Sequence, residues 1–277
     1  MIVDVHTHLT PLEGWGPTFL DRVRSQPHAV GIDLDVTPER HWAAMEEVDR
    51  AIVFGINSLV LEMHTSNDSI AEYASAHSEK IIGFMSIDPH QEDAIEEIDR
   101  CVRQLGLRGI KMSPVYQHYH PCDEKAERVH RHAEKLGLPI LTHAAFHSMY
   151  QTPMKWANPI LYDDVAQQFP NLRIILAHIG LPWYSDAMVV ARKHPNVFAD
   201  VSPVFHLRWI NRALDLFHEF SVIHKLLFGT DFPFTTTDQA IQNLRKAQQI
   251  GPKEARVPEE EIEALIHRDS LKLLGLD

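Results

Sequence analysis

The chain has 277 residues, of which 44% are hydrophobic, with 19 histidines, two cysteines and a formal net charge of -12. That apolar content is enough for a sizeable core and excludes a disordered chain, while no apolar run approaches the length of a membrane span. The acidic balance argues against nucleic acid and anionic membranes as partners.

The two cysteines, Cys101 and Cys122, do not make a disulfide framework. The first strand begins at Ile2, leaving no room for a signal peptide, so a cytoplasmic location is expected. That strand runs Ile2-Val3-Asp4-Val5-His6-Thr7-His8, and because residues two apart share a face, His6 and His8 project together. A long irregular stretch follows from Leu9 to about Pro38, and a loop of that length is usually functional. Thr37-Pro38-Glu39-Arg40 reads as an N-cap, a proline at the first helical position and a helix start, with the helix running to about Val48.

From there, short apolar segments alternate with helical patterns. Arg50–Ile56 is the second strand, Asn67–Ser78 a helix and Ile81–Ile87 the third strand. Gln91–Leu105 is an amphipathic helix, with Ala94, Ile95, Ile98, Val102 and Leu105 at helical spacing. Leu107–Met112 is the fourth strand, Asp123–Leu136 a helix ended by Gly137, and Leu138–His143 the fifth strand. Ile160–Phe169 is a helix, Leu172–His178 the sixth strand, Tyr184–Lys193 a helix and Val197–Val201 the seventh strand. Ile210–Phe220 is a helix and Lys225–Asp231 the eighth strand. Thr237–Ile250 and Pro258–Leu274 close the chain as helices, with a surface loop at Gly251–Val257 between them.

Strict β/α alternation with continuously apolar strands implies a parallel sheet covered on both faces. Eight such units in a chain of this length imply one (β/α)8 TIM barrel domain over residues 1–277. An open doubly wound sheet would need a glycine-rich phosphate loop after the first strand, where His6-Thr7-His8 stands instead.

In a barrel, all C-terminal strand ends meet at one mouth. The first strand ends in His6 and His8, the fourth in Lys111, the fifth in His143, the sixth in His178 and the eighth in Asp231. Each alone has a bland explanation as a turn cap or a hydrogen-bonded core residue; their shared position at strand ends is what singles them out. His6, His8, His143 and Asp231 make a mixed nitrogen/oxygen donor set that suits one divalent ion, with zinc expected and manganese or iron able to replace it. Such an ion activates water, His178 is the candidate acid/base, and Asp231 both holds the ion and accepts a proton.

Val3-Asp4-Val5-His6-Thr7-His8, Gly109-Ile110-Lys111-Met112-Ser113-Pro114, Ala177-His178-Ile179-Gly180 and Gly229-Thr230-Asp231-Phe232-Pro233-Phe234 together resemble the second amidohydrolase family. That group of the metal-dependent amidohydrolase superfamily includes aminocarboxymuconate-semialdehyde decarboxylase, aromatic acid decarboxylases and lactone hydrolases. The resemblance covers essentially the whole chain. It implies that His6, His8, His143 and Asp231 hold the metal, and that His178 is catalytic without being a full ligand. Lys111 would bind a substrate carboxylate or carbonyl, rather than bridge two metals as a carboxylated lysine. Ser113 and Leu181 depart from the group's usual residues, which puts substrate shape in question. Trp15, Tyr116, Gln117, His147, Tyr150, Trp183, Phe205, His206, Arg208 and Phe232 are expected around the mouth, with Arg208 and Lys111 neutralising an anionic small-molecule substrate.

Metal-activated hydrolysis of a small carbonyl compound, such as a lactone or amide, is the leading expectation. Non-oxidative decarboxylation of a small unsaturated or aromatic acid at the same metal is the alternative. A metal-dependent nuclease is disfavoured by the charge, and a barrel that binds without chemistry is distinguished by metal analysis. Homo-oligomerisation is left open.

Overall fold

The computed structural model describes residues 1–26, 31–203, 205–252 and 256–277. Among the described residues, nine short strands fill eight positions of a barrel: β1 Val3–His8, β2 Arg50–Phe54, β3 Ile81–Gly83, β4 Met85–Ser86, β5 Ile110–Met112, β6 Ile140–Thr142, β7 Ile174–Leu176, β8 Val197–Asp200 and β9 Leu226–Leu227. Every neighbouring pair is parallel, in the orders β1-β2-β3 and β4 through β9. β3 and β4 are one barrel strand that changes partner at Phe84. The Phe84 N–H donates to Val53 O at 2.9 Å, and the Met85 N–H turns to Gly109 O at 2.9 Å. Gly109 permits this, because a Cβ there would lie 2.3 Å from the Phe84 ring. The last strand returns to the first through Val5 N–H to Phe228 O (3.0 Å) and His8 N–H to Phe232 O (2.9 Å). The (β/α)8 architecture expected from the alternation is the one formed.

Two apolar layers follow from the period-two alternation of the strands. Val3, Val5, Ile52, Phe54, Ile82, Phe84, Leu141, Ile175, Phe198 and Leu227 fill the barrel interior, joined there by Leu271, Leu274 and Leu276 of the C-terminal segment. Ala51, Val53, Met85, Ile110, Met112, Ile140, Ile174 and Val197 face outward into the apolar stripes of the helices.

β1 does not alternate regularly. Val3 and Asp4 pair with Arg50 and Ala51, but Thr7 and His8 pair with Val53 and Phe54, so the first strand carries one extra residue. Such a bulge reverses the facing of everything after it. Uninterrupted alternation from Val3 and Val5 would send His6 and His8 outward with Asp4. The bulge turns the pair inward and leaves Thr7 outside, where its hydroxyl donates to Ile52 O at 2.7 Å.

The helices stand close to where periodicity and capping place them: Pro38–Ala44, Asn67–Ala76, Ala94–Arg103, Glu124–Leu136, Tyr162–Gln168, Tyr184–Lys193, Leu207–Glu219 and Thr237–Gln248. The Thr37 hydroxyl accepts the Arg40 N–H at 3.3 Å, and Gly137 ends its helix with φ 70. Two expectations need correction, and one helix stands where no element was assigned. The stretch after Leu9 is not structureless, since it holds a 3-10 turn, Leu12–Trp15, and a helix, Pro17–Arg24, that buries Phe19 and Val23. A short helix, Pro114–Gln117, follows β5. The final helix is two, Glu259–Ile266 and Ser270–Leu274, because the Asp269 carboxylate accepts the Lys272 N–H at 3.2 Å and restarts the chain. Part of the expected loop at 251–257 and Pro27 of the earlier irregular stretch lie outside the described residues. Among the described residues no helix is long and apolar enough to cross a membrane.

Candidate metal centre

His6 is fully buried, with its two ring nitrogens in different surroundings. Nδ1 lies 2.9 Å from Asp200 Oδ2 at the end of β8. The other oxygen of Asp200 accepts from the Ser202 hydroxyl (2.6 Å), the Ser202 N–H (3.0 Å) and the His178 N–H (3.1 Å). These donors and the positive field of His6 outweigh burial, and hold the Asp200 carboxyl down at about 2. An ionised carboxylate only accepts, so His6 Nδ1 carries a hydrogen and Nε2 is the atom left for a ligand. His6 Nε2 lies 3.2 Å from Asp231 Oδ1 and 3.3 Å from Lys111 Nζ, and His8 Nε2 lies 3.0 Å from the same Asp231 oxygen. Ligand atoms of His6, His8 and Asp231 all fall within 4.8 Å of one another, with all three residues buried.

A second pair of imidazoles points to the same chemistry. His143 Nε2 lies 3.1 Å from Ala145 O, and His178 Nδ1 lies 2.7 Å from Ser202 O. A carbonyl accepts only, so both of these nitrogens carry hydrogen. His143 Nδ1 and His178 Nε2 are therefore bare, and they face each other at 3.2 Å. Two lone pairs at that distance call for a cation beside them. Burial holds His178 down at about 4 and His143 well below its ordinary value, so both rings rest neutral at pH 7.

The charges around the set are arranged by burial and mutual contact. Burial alone would raise Asp231, but His6 and His8 reverse it and keep the carboxyl well below the usual range. Burial and the Lys111 ammonium push His6 down, and Asp200 and Asp231 outweigh them, so it is raised overall. Burial brings His8 to about 4 and Lys111 to about 8. His178, Ile179 and Asp231 have positive φ values of 62, 50 and 58. Left-handed backbone is unfavourable for such residues, above all for a β-branched one, and such strain gathers at functional sites. Gly229 leaves room for His6, since a Cβ there would lie 3.0 Å from the His6 Cβ.

Above this floor opens a cavity of about 280 Å³, with His6, His8, Lys111, His143, His178 and Asp231 in its lining. Its walls are mostly apolar and aromatic, including Trp15, Phe19, Tyr116, Phe146, Phe205, Trp209 and Phe234. A family model described as amidohydrolase (Amidohydro_2) matches residues 3–276. The chain belongs to the amidohydrolase family.

This amidohydrolase is 25% identical over 249 residues to 2-amino-3-carboxymuconate-6-semialdehyde decarboxylase of Dictyostelium discoideum. The match takes in 76% of this chain and 66% of that relative, so the chain spans just under two thirds of the relative's length. Its fold is similar to that of a dihydroxybenzoic acid decarboxylase from Polaromonas sp. JS666, solved with bound manganese and the inhibitor 2-nitroresorcinol. That likeness has a TM-score of 0.72 at 16% identity and covers 99% of this chain and 97% of that one. It is also similar to a probable 2-pyrone-4,6-dicarboxylic acid hydrolase from Acinetobacter baumannii with citric acid bound, with a TM-score of 0.68 at 14% identity over 99% of each chain.

Of the residues expected around the mouth of the amidohydrolase barrel, Trp15, Tyr116, His147, Phe205 and His206 line the cavity. Five do not. Gln117 is buried behind it, donating to Asn57 O (2.7 Å) and Ile87 O (2.9 Å) and accepting the Ser113 N–H (2.8 Å). Tyr150 is 82% exposed under the Arg22 guanidinium, and Phe232 packs on the outer side against His41. Trp183 caps the helix Tyr184–Lys193. Arg208 is exposed on the first turn of Leu207–Glu219 and is not in the cavity lining, so the structure does not bring it to Lys111. Asp200, in turn, has a place in the site that the strand-end reading passed over. Its signal was present, a carboxylate ending the Val197-Phe198-Ala199 run, but nothing in the sequence ties it to His6.

Proposed function

We propose that this amidohydrolase is a divalent-metal-dependent carboxy-lyase that removes CO₂ from a small, planar, anionic acid. The observation that carries the reading is Lys111, a buried ammonium on the floor of an apolar, aromatic-walled cavity. Among the described residues its one hydrogen-bond contact is His6 Nε2 at 3.3 Å, and an ammonium has three hydrogens to give. The cavity volume of about 280 Å³ suits a single-ring molecule. Transfer of a carboxylate from water to such walls favours its loss as neutral CO₂, and water is kept from the carbon left behind. The decarboxylase named in the D. discoideum relative supports the same class.

His6, His8 and Asp231, with the bare nitrogen of His143 toward the same space, are the residues that would hold the ion. The ion would supply Lewis acidity to the oxygen atoms of the substrate. Lys111 fixes the carboxylate, and the aromatic walls hold the ring. Asp200 keeps His6 in one tautomer. His178 Nε2, bare and neutral, takes a proton from a substrate hydroxyl or from water and returns it to carbon. The balance is R–COO⁻ plus H⁺ giving R–H plus CO₂: the electron pair of the broken C–C bond stays on the ring carbon and forms the new C–H bond.

Hydrolysis, the reaction placed first on sequence grounds, is the second reading. Asp231, an ionised carboxylate beside two imidazoles, offers an oxygen that can take a proton from attacking water. The A. baumannii neighbour is named as a probable hydrolase. The two separate on one assay: purified enzyme reconstituted with Zn²⁺ or Mn²⁺ is offered hydroxybenzoates, unsaturated carboxylic acids and lactones while CO₂ is followed. The carboxy-lyase reading expects one CO₂ per acid consumed; efficient lactone turnover without CO₂ from any acid overturns it.

A further inference from the structure

Asp4 lies on the outer side of β1, away from the cavity, and is fully buried. Among the described residues, all three of its side-chain hydrogen bonds come from the two segments that carry His6 and Asp231. Oδ1 accepts the His6 N–H at 3.0 Å and the Thr230 N–H at 3.1 Å, and Oδ2 accepts the Thr230 hydroxyl at 2.7 Å. The His6 carbonyl in turn accepts the Asp231 N–H at 2.8 Å. Asp4, His6, Asp231 and Thr230 thus form a closed ring of bonds.

Both segments are irregular where the ring grips them. His6 sits in the bulge of β1, between the Asp4 and Thr7 pairings, and Asp231 has φ 58. Regular pairing is sparse there, because β9 has ended at Leu227. Backbone bonds from Asp231 N–H to His6 O (2.8 Å) and from His8 N–H to Phe232 O (2.9 Å), with an isolated Thr7–Phe232 bridge, join the two segments, and the Asp4 carboxylate adds a side-chain tie to the 3.2 Å separation of His6 Nε2 and Asp231 Oδ1.

We propose that Asp4 is a positioning residue for the cation site: its carboxylate ties the His6 bulge to the Asp231 turn and so sets the spacing of the two donor atoms. The inference rests on the metal reading above. It extends the site to a residue outside the cavity lining, acting through the backbone N–H groups of His6 and Thr230 and the Thr230 hydroxyl. Asp4→Asn is the informative variant, because its amide oxygen still accepts the two N–H groups while its NH₂ can only donate to the Thr230 hydroxyl, which replaces a bond to a charged carboxylate by a weaker neutral one. Thr230→Val removes the hydroxyl's bond to Asp4, together with the Phe232 N–H bond that the hydroxyl accepts at 3.1 Å, and keeps the side-chain shape.

The test is titration of the metal-free proteins with Co²⁺, following visible absorption for affinity and ligand geometry, beside their thermal midpoints. Asp4→Asn is expected to weaken Co²⁺ binding about 10- to 100-fold and to alter the absorption bands, as loss of an orienting partner does. Thr230→Val is expected to weaken it about two- to tenfold. The remote core variant Leu244→Ala, destabilised without touching the ring, is expected to keep wild-type affinity and bands. Unchanged affinity and bands in both Asp4→Asn and Thr230→Val overturn the inference, as does an equal loss in Leu244→Ala. Failure of the wild-type protein to bind Co²⁺ overturns the metal reading as well.

Discussion

Replacing Lys111 by methionine keeps an unbranched stem against Phe54 and removes the ammonium that stands 4.6 Å from that ring's centre. The loss is an interaction with a charged group, worth about 1.5–3 kcal/mol. KM for a carboxylate substrate should therefore rise about 10- to 100-fold, and binding of the neutral amide analogue should change little. A matched change for both compounds would place Lys111 in the fold rather than against the carboxylate. His178→Asn addresses proton transfer: kcat should fall about 10²- to 10⁴-fold while bound metal stays near the wild-type amount. Loss of metal in step with activity would make His178 a ligand instead. At this scale most of the floor was legible, since His6, His8, Lys111, His143, His178 and Asp231 stand where strands end, and strand ends in a barrel converge. Asp200 was missed because its value lies in a contact with His6 Nδ1 across the barrel, 194 positions away in the chain. Arg208 was misplaced because the direction of a helix's first turn is not written in its charge.

At the scale of elements, alternation and capping predict the barrel because each β/α unit states its own period. The bulge in β1 leaves no such mark. Val3-Asp4-Val5-His6-Thr7-His8 reads as a clean alternation, and the extra residue shows only in the pairing with β2. Likewise the break at Asp269 interrupts an apolar pattern that continues on both sides, so one helix was expected where two stand. The second of these lays Leu274 among the interior side chains of the barrel, at 0% exposure. Leu274→Ala should lower unfolding free energy by about 2–5 kcal/mol. Denaturant titration checks it: the midpoint should drop with its slope unchanged, and metal affinity should hold, because the site sits at the other end of the strands. An unaltered midpoint would mean that the C-terminal helix is not part of the core.

For the whole molecule, buried neutral histidines couple stability to pH. His130 is 1% exposed, its Nδ1 has no partner among the described residues, and burial carries its pKa from 6.5 down to about 4. Between those values the unfolded chain binds a proton that the folded chain refuses, so stability falls as pH drops from about 6.5 toward about 4. The displacement corresponds to at most about 3 kcal/mol for this one group. His130→Leu should flatten the decline of the thermal midpoint between pH 7 and pH 5, and an unchanged slope would assign the acid sensitivity elsewhere. The metal acts on the same folded state, and an ion at 100 times its dissociation constant should add about 2.7 kcal/mol.

That ion is the centre of the functional reading. The most direct measurement is anomalous diffraction from crystals of the protein loaded with Mn²⁺ or Zn²⁺, beside metal content in solution. One strong peak among His6, His8, His143 and Asp231, with about one ion per chain that His6→Ala and Asp231→Ala abolish, is the result expected. A fully loaded protein whose ion lies elsewhere, or a wild-type chain that takes up no ion at saturating metal, would contradict it.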